Sequence, residues 1–220
     1  MQQGVNIMLN MDFTETVQLS ALDMDWVNSP SPGVLRKPLA REDAERGHAT
    51  SVVCYEPESS FRPHDHPKGE EILVIEGVFS DETGDYGAGS YFRNPAGFKH
   101  APFSKPGCII FVKLHQFQAS DTEHVCIETS QAKWSTELGR SKLLLHEHGT
   151  ESVALYKVDV GEDLVIEDKG GIEIFIVSGQ LSKGGRALGK FTWLRSAESS
   201  VILSAQSDAL VWVKTGHFPT

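Results

Sequence analysis

Short apolar runs rich in β-branched and aromatic residues recur along the chain. Ser51–Tyr55, Ile72–Ile75, Ser90–Arg93 and Cys108–Leu114 are each bounded by Gly, Pro or Asp clusters. Runs of this length and composition suit strands rather than helices, and their close spacing predicts an antiparallel sandwich or barrel. Asn28–Gly33 reads as a Pro- and Gly-rich turn, and Arg41–Gly47 as a charged hairpin loop. Residues 1–22 are polar with weak apolar punctuation, which suits a short arm or an edge strand.

After Phe117 the chain turns polar, and then the same pattern starts again. Leu143–Leu145, Val153–Val158, Ile172–Gly179, Lys190–Leu194 and Ala209–Lys214 follow in the order of the first half. Gly77 aligns with Gly179, Gly89 with Gly189, and Phe111-Val112-Lys113 with Trp212-Val213-Lys214, so offsets stay near about one hundred residues, the mark of an internal duplication. The expected organisation is an arm over 1–22, a barrel over 23–118, a linker over 119–133 and a second barrel over 134–220. Gly184-x4-Gly189-Lys190 misses a phosphate-binding loop by one residue, Phe191 standing in place of Ser or Thr, and Gly84-x4-Gly89 repeats the spacing, so it reads as a turn.

Composition narrows the partners. Of 220 residues 40% are hydrophobic, and no apolar run approaches the length of a membrane span. Met1–Asn6 lacks a basic region followed by an apolar one, so a cytoplasmic location is expected. A net charge of −10 without a basic cluster excludes nucleic acid and anionic membrane as natural partners. Cys54, Cys108 and Cys126 form no C-x-x-C pair and are expected as reduced thiols, Cys54 and Cys108 buried in strands.

The chemistry concentrates in His64-Asp65-His66-Pro67-Lys68-Gly69-Glu70-Glu71. Alternate side chains of a strand share a face, so His64 and His66 can reach one ion together. The Pro67–Gly69 bend lets the next strand return with a carboxylate, and His100 arrives from a later strand. Glu70 and Glu71 face oppositely, so at most one is a ligand; Glu70 is preferred and Glu71 held in reserve. Three imidazoles and a carboxylate suit one divalent ion: Zn in closed four-coordinate geometry, or Fe, Mn or Ni where water completes the shell. Arg93 is either an inward anchor for an anion or a solvated side chain. His146 and His148 read as solvated histidines of a hairpin turn. In the second repeat Ile166, Asp168, Ile172 and Ser200 align with His64, His66, Glu70 and His100, so that barrel is expected to lack the metal.

Read as H-x-H-x3-E-x6-G up to Gly77, then Gly89-x5-Pro95-x-Gly97-x2-His100, these residues resemble the two-part signature of the cupin superfamily. The stretch His64–Glu82, with Gly89–Pro95, His100–Ser104 and Gly107–Leu114, is similar to the cupin-like domain of ChrR-type anti-sigma factors. The resemblance implies an all-β protein of two tandem cupin (double-stranded β-helix, or jelly-roll) barrels, with zinc on His64, His66, Glu70 and His100. It also implies a regulatory role in oxidative-stress transcription, with an extracytoplasmic-function sigma factor as partner. The family members that bind a sigma factor carry a helical N-terminal domain with a histidine and a C-x-x-C, whereas the residues before Met24 hold neither Cys nor His. The alternative function is a mononuclear non-haem dioxygenase or isomerase acting on a small carbonyl compound, with catalytic residues unassigned. Exposed barrel edges and faces suit a homodimer.

Overall fold

The computed structural model describes residues 8–43, 47–137 and 140–219. Part of the charged Arg41–Gly47 loop and the N-terminal stretch read against a signal segment lie outside the described residues. The described chain is almost entirely β, with one short 3-10 turn at Ala21–Asp23. It divides into two compact units: one holds the residues up to Met11 and Asp25–Ser130, the other Asp12–Met24 and the chain from Gln131 onward.

In the first unit the main sheet runs, in spatial order, Val125–Glu128, Ser90–Asn94, Glu70–Asp81, Cys108–Leu114, Ala49–Tyr55, Val34–Arg41 and Val27–Asn28. All these pairings are antiparallel. The long strand Glu70–Asp81 closes the barrel. Its first half pairs with Cys108–Leu114 and Ser90–Asn94, and its second half with Gly84–Gly87 and Phe103. Between the halves a bulge at Ile75, followed by Gly77 at φ 73°, turns the strand from one layer into the other. The second layer includes the short pair His64–Asp65 with Lys99–His100. Ile72, Val74, Phe79, Phe92, Ile110 and Val112 form the core between the layers.

The second unit repeats this plan strand for strand. Its sheet runs Val17–Ser20, Thr192–Ser196, Ile172–Ser178, Ala209–Thr215, Glu151–Val158, Arg140–His148 and Ser135–Glu137. Even the irregularities recur: the bulge at Ile75 has its counterpart at Val177, and the bulge at Leu39 its counterpart at Leu145. Each sheet extends past its Ser90–Asn94 or Thr192–Ser196 strand by a segment from outside the repeat, Val125–Glu128 in one and Val17–Ser20 in the other. The interior here is a continuous aliphatic core that includes Leu164, Ile166, Ile172, Ile174, Val201 and Leu203.

The structure corrects the internal alignment at two places. Gly89, at φ 91°, donates its N–H to Val74 O, and the equivalent bond to Ile176 O comes from Phe191, at φ 64°, not from Gly189. The turn geometry was retained while its glycine was lost. His64 faces His100 across a strand pair, and Ile166 likewise faces Val201, so Ser200 lies one position away from the true counterpart. Gly184 and Gly185, both at positive φ, cap the hairpin between Leu181–Lys183 and Arg186–Leu188, as a tight turn requires.

His146 and His148 are also reassigned. They end the strand Arg140–His148, and His146 is buried rather than a solvated loop residue; the turn is Gly149-Thr150. The apolar run Leu143–Leu145 continues past the bulge, which moves His146 into register with Val153. Cys108 is buried as expected, whereas Cys54 is half-buried on the strand beside it and Cys126 is exposed.

The bend at Gly77 permits a direct test of barrel closure. A Cβ there would clash with Gly107 O, and φ is positive. Gly77→Ala should therefore cost about 2 kcal/mol or more of unfolding free energy, read as a lowered midpoint in urea, because both the clash and the dihedral oppose it.

Candidate metal centre

Strand pleating delivers the four predicted residues to one end of the first barrel. His64 and His100 are directly opposed on the short pair, His66 follows two residues after His64, and Glu70 starts the long strand on its inward face with Ile72 and Val74. Gly69, at φ 79°, forms the bend that returns the chain, and its N–H donates to His66 O at 3.1 Å. A side chain at Gly69 would meet the Phe117 ring at 2.5 Å, so the bend is confined to glycine.

The donor atoms converge. His66 Nε2 lies 3.2 Å from His100 Nε2 and 3.3 Å from Glu70 Oε1, and His100 Nε2 lies 3.4 Å from Glu70 Oε2. Atoms spaced this way suit bonds of about 2.1 Å to a shared ion. His64, His66 and His100 each offer a nitrogen within 4.8 Å of the other two and can together hold a metal ion. His66, Glu70 and His100 are buried, and His64 is half-buried.

Neighbouring groups aim these donors. His64 Nδ1 lies 2.8 Å from Arg62 O, which makes Nδ1 the protonated nitrogen and leaves Nε2 for the site. His100 Nδ1 faces Asp81 Oδ2 at 3.4 Å, the carboxylate–histidine arrangement that orients a ligand ring. Asn94 Nδ2 donates to Glu70 Oε2 at 3.1 Å. Burial raises the Glu70 carboxyl, with His100 and the Asn94 bond opposing it. Burial, then His64 and His115, lowers His66 to about 3, so its ring is a neutral base at physiological pH.

Asn94, Asp81 and His115 were not singled out from the sequence. Asn94 and Asp81 had no motif to mark them; His115 stands just past an apolar strand and reaches the site only through the fold. Glu71 is not the reserve ligand. It faces away, accepting from the Tyr91 hydroxyl at 2.9 Å and from Arg93 Nη1 at 3.1 Å. Arg93 is neither solvated nor an anchor for a ligand: it is fully buried, donates to Asp121 Oδ2 at 2.6 Å, and stacks 3.8 Å from the Phe117 ring centroid.

A pocket of about 350 Å³ opens beside the cluster. His64, His66, Glu70 and His115 line one end, Val53, Tyr55, Ile110 and Val112 the walls, and Arg36, Arg41 and Arg62 also border it. In the second unit Ile166 and Ile172 replace the inward His64 and Glu70 by core side chains.

Residues 14–118 match the family model of the ChrR cupin-like domain. Among solved structures, the chain is similar to a candidate dioxygenase from Nostoc punctiforme, at 15% identity and a TM-score of 0.75, with 91% of this chain and 82% of that one covered. The nickel(II) complex of the bacterial pirin YhhW from Escherichia coli matches at 14% identity and a TM-score of 0.72, covering 93% and 100%. A Bacillus subtilis oxalate decarboxylase with Mn(II) centres matches at 11% identity and a TM-score of 0.64, covering 92% and 78%. No curated protein matches the chain by sequence. At these identities the structural likenesses establish the cupin fold.

Metal-free protein should reveal the His66 environment through its acid sensitivity. The folded pKa is about 3 against 6.5 for an ordinary histidine, so between these values the unfolded chain binds the extra proton and His66 costs stability as pH falls. The raised Glu70 acts in the opposite sense, taking its proton first in the folded state. His66→Leu should flatten the loss of chelator-treated protein stability from pH 6.5 toward 3, measured by urea unfolding at each pH; an unchanged slope would contradict the burial argument.

Proposed function

We propose, from the premise that residues 14–118 are a ChrR cupin-like domain, that the first unit holds one divalent metal ion on His64, His66, Glu70 and His100 and acts on a small carbonyl compound in the adjoining pocket. The reaction class is that of a mononuclear non-haem dioxygenase or isomerase. The observation that carries this reading is the pocket itself, because His64, His66 and Glu70 all border it. A purely structural ion is usually enclosed by its ligands, whereas a catalytic ion needs a face toward substrate.

The ion would supply Lewis acidity or redox chemistry at that face. The protein's own residues hold the donors in place. Neutral His66 presents a lone pair without first losing a proton. Asp81, Asn94 and the Arg62 carbonyl restrict the rotation of His100, Glu70 and His64. Val53, Ile110 and Val112 give the pocket apolar lining beside the donors. The donor set, nitrogen and oxygen without thiolate, suits Fe, Mn or Ni as well as Zn.

A second reading is favoured by the family match: a sensing module in which occupancy of the same site changes binding to a regulatory partner such as an extracytoplasmic-function sigma factor. Zinc retained through purification, together with recovery of a sigma factor on the tagged protein, would support this reading against the first.

Elemental analysis of purified protein should find about one transition-metal ion per chain. His100→Ala and Glu70→Gln should each lower metal content and melting temperature together. Glu71→Gln should leave the metal in place and lower stability by about 3 kcal/mol, since it uncouples a buried ion pair. Oxygen consumption with Fe(II) across diketones and flavonols tests turnover, and absence of turnover with every bound metal would remove the enzymatic reading.

A further inference from the structure

We propose that the ligand of the first unit's pocket is an organic carboxylate, and that His115 is the side chain that meets its charged end. This rests on the metal-dependent reading above and names the ligand class for the same site.

The first observation is a backbone conformation that histidine adopts only at a cost. His115 has φ 61°, and its N–H donates to Gly69 O at 2.9 Å. The second unit makes the same turn with Gly216, at φ 67°, whose N–H donates to Gly171 O at 3.1 Å. Two residues on, the amides of Phe117 and Phe218 bond to Lys68 O and Gly170 O respectively, so the two turns share the same backbone hydrogen bonds. The fold therefore accepts glycine here, yet the first copy holds a residue disfavoured at positive φ. Non-glycine residues at positive φ cluster at ligand sites but also occur away from them, as Phe191 does, so the placement of the ring decides.

The ring is placed for that need. It is half-buried, borders the pocket, and its centroid lies 6.2 Å from that of His66. It stands outside the trio of imidazoles whose nitrogens converge. An imidazole carries an N–H in either protonation state and can donate to a carboxylate beside the ion. The second unit lacks this histidine and also has Ile166 and Ile172 in place of His64 and Glu70. The ring and the metal donors are present together in one copy and absent together in the other.

The second observation is the charge around the pocket. Among the described lining residues, Arg36, Arg41 and Arg62 offset Asp43, Asp65 and Glu70 one for one, so a bound divalent ion would tip their balance to positive. In a chain of net charge −10, this would be a local positive site beside apolar side chains. An anion neutralises it, and about 350 Å³ admits a carboxylate on a small carbonyl-bearing body.

The test uses the full chain loaded with Co(II), titrated with pyruvate and with its neutral counterpart pyruvamide while visible absorption is followed. Pyruvate should perturb the spectrum and pyruvamide should not at equal concentration. His115→Gly should keep the Co(II) stoichiometry and a melting temperature equal to or above wild type, while weakening pyruvate binding about tenfold or more. Arg62→Gln should also weaken it, with reduced dependence on salt. Equal pyruvate affinity in wild type and His115→Gly would overturn the role of His115, as would a fall in its Co(II) content or melting temperature. Equal responses to pyruvate and pyruvamide, or none to either in protein that has bound Co(II), would overturn the ligand class while leaving the metal site standing. Failure of the wild type to bind Co(II) would overturn both.

Discussion

Burying the Glu70 carboxylate is the constraint to which the first unit answers. A carboxylate removed from water costs several kcal/mol unless charges or donors replace its hydration. Here the replacements are Asn94, His66 and His100, all within 3.4 Å. They do not relieve it completely, since burial still holds the carboxyl above its usual range. A cation at the convergence of these donors would complete the compensation. The same position in the second unit is simply Ile172, at no exposure to solvent.

The outward neighbour Glu71 solves the same problem by a different route. Pleating sends Glu70 to one face and Glu71 to the other, and each meets its own partners: imidazoles on the first, Tyr91 and Arg93 on the second. Arg93 is in turn held by Asp121 and by the Phe117 ring, and Phe117 packs against Gly69 at the bend that aims Glu70. Glu173, Arg195 and Phe218 occupy the corresponding positions in the second unit, where Gly171 meets Phe218 as Gly69 meets Phe117. That unit shares the outer-face framework and has core aliphatic side chains in place of the inward His64 and Glu70. The bend and the buried charges thus belong to the fold, and the inward histidines and Glu70 to the site.

What could be read from the sequence follows this division. Strand periodicity and the recurring order of apolar runs revealed the duplicated β architecture, because a two-residue alternation and a turn-rich spacing leave few other folds. The spacing His64, His66, Glu70, His100 identified the residues that the fold brings together, because two donors on one strand face and a third after a tight bend must converge locally. The rest was set by contacts distant in sequence. Arg93 could be read as an inward anchor or as a solvated side chain, because alternation does not say what covers the face a side chain takes. His146 looked like a loop residue because a bulge at Leu145 extends its strand without altering the local composition. Gly89 was matched to the wrong glycine because Phe191 keeps the positive φ that normally identifies the position.

The pocket also shifts the balance between the two functional readings. From ligand identity alone, a closed zinc site and an open catalytic site are equally consistent, since both can be built from three imidazoles and a carboxylate. The structure adds that the donors do not occupy a sealed core: His64 is half-buried, and three of the four border a cavity with apolar walls. The second unit supplies the internal contrast, with Leu164, Ile166 and Ile172 in one aliphatic core. Had the first unit needed only stability, the same substitutions would have served there without the cost of burying a carboxylate and two imidazoles. Keeping that cost beside an accessible cavity argues for chemistry or recognition at this cluster, and a module that senses a ligand would still need the same open face.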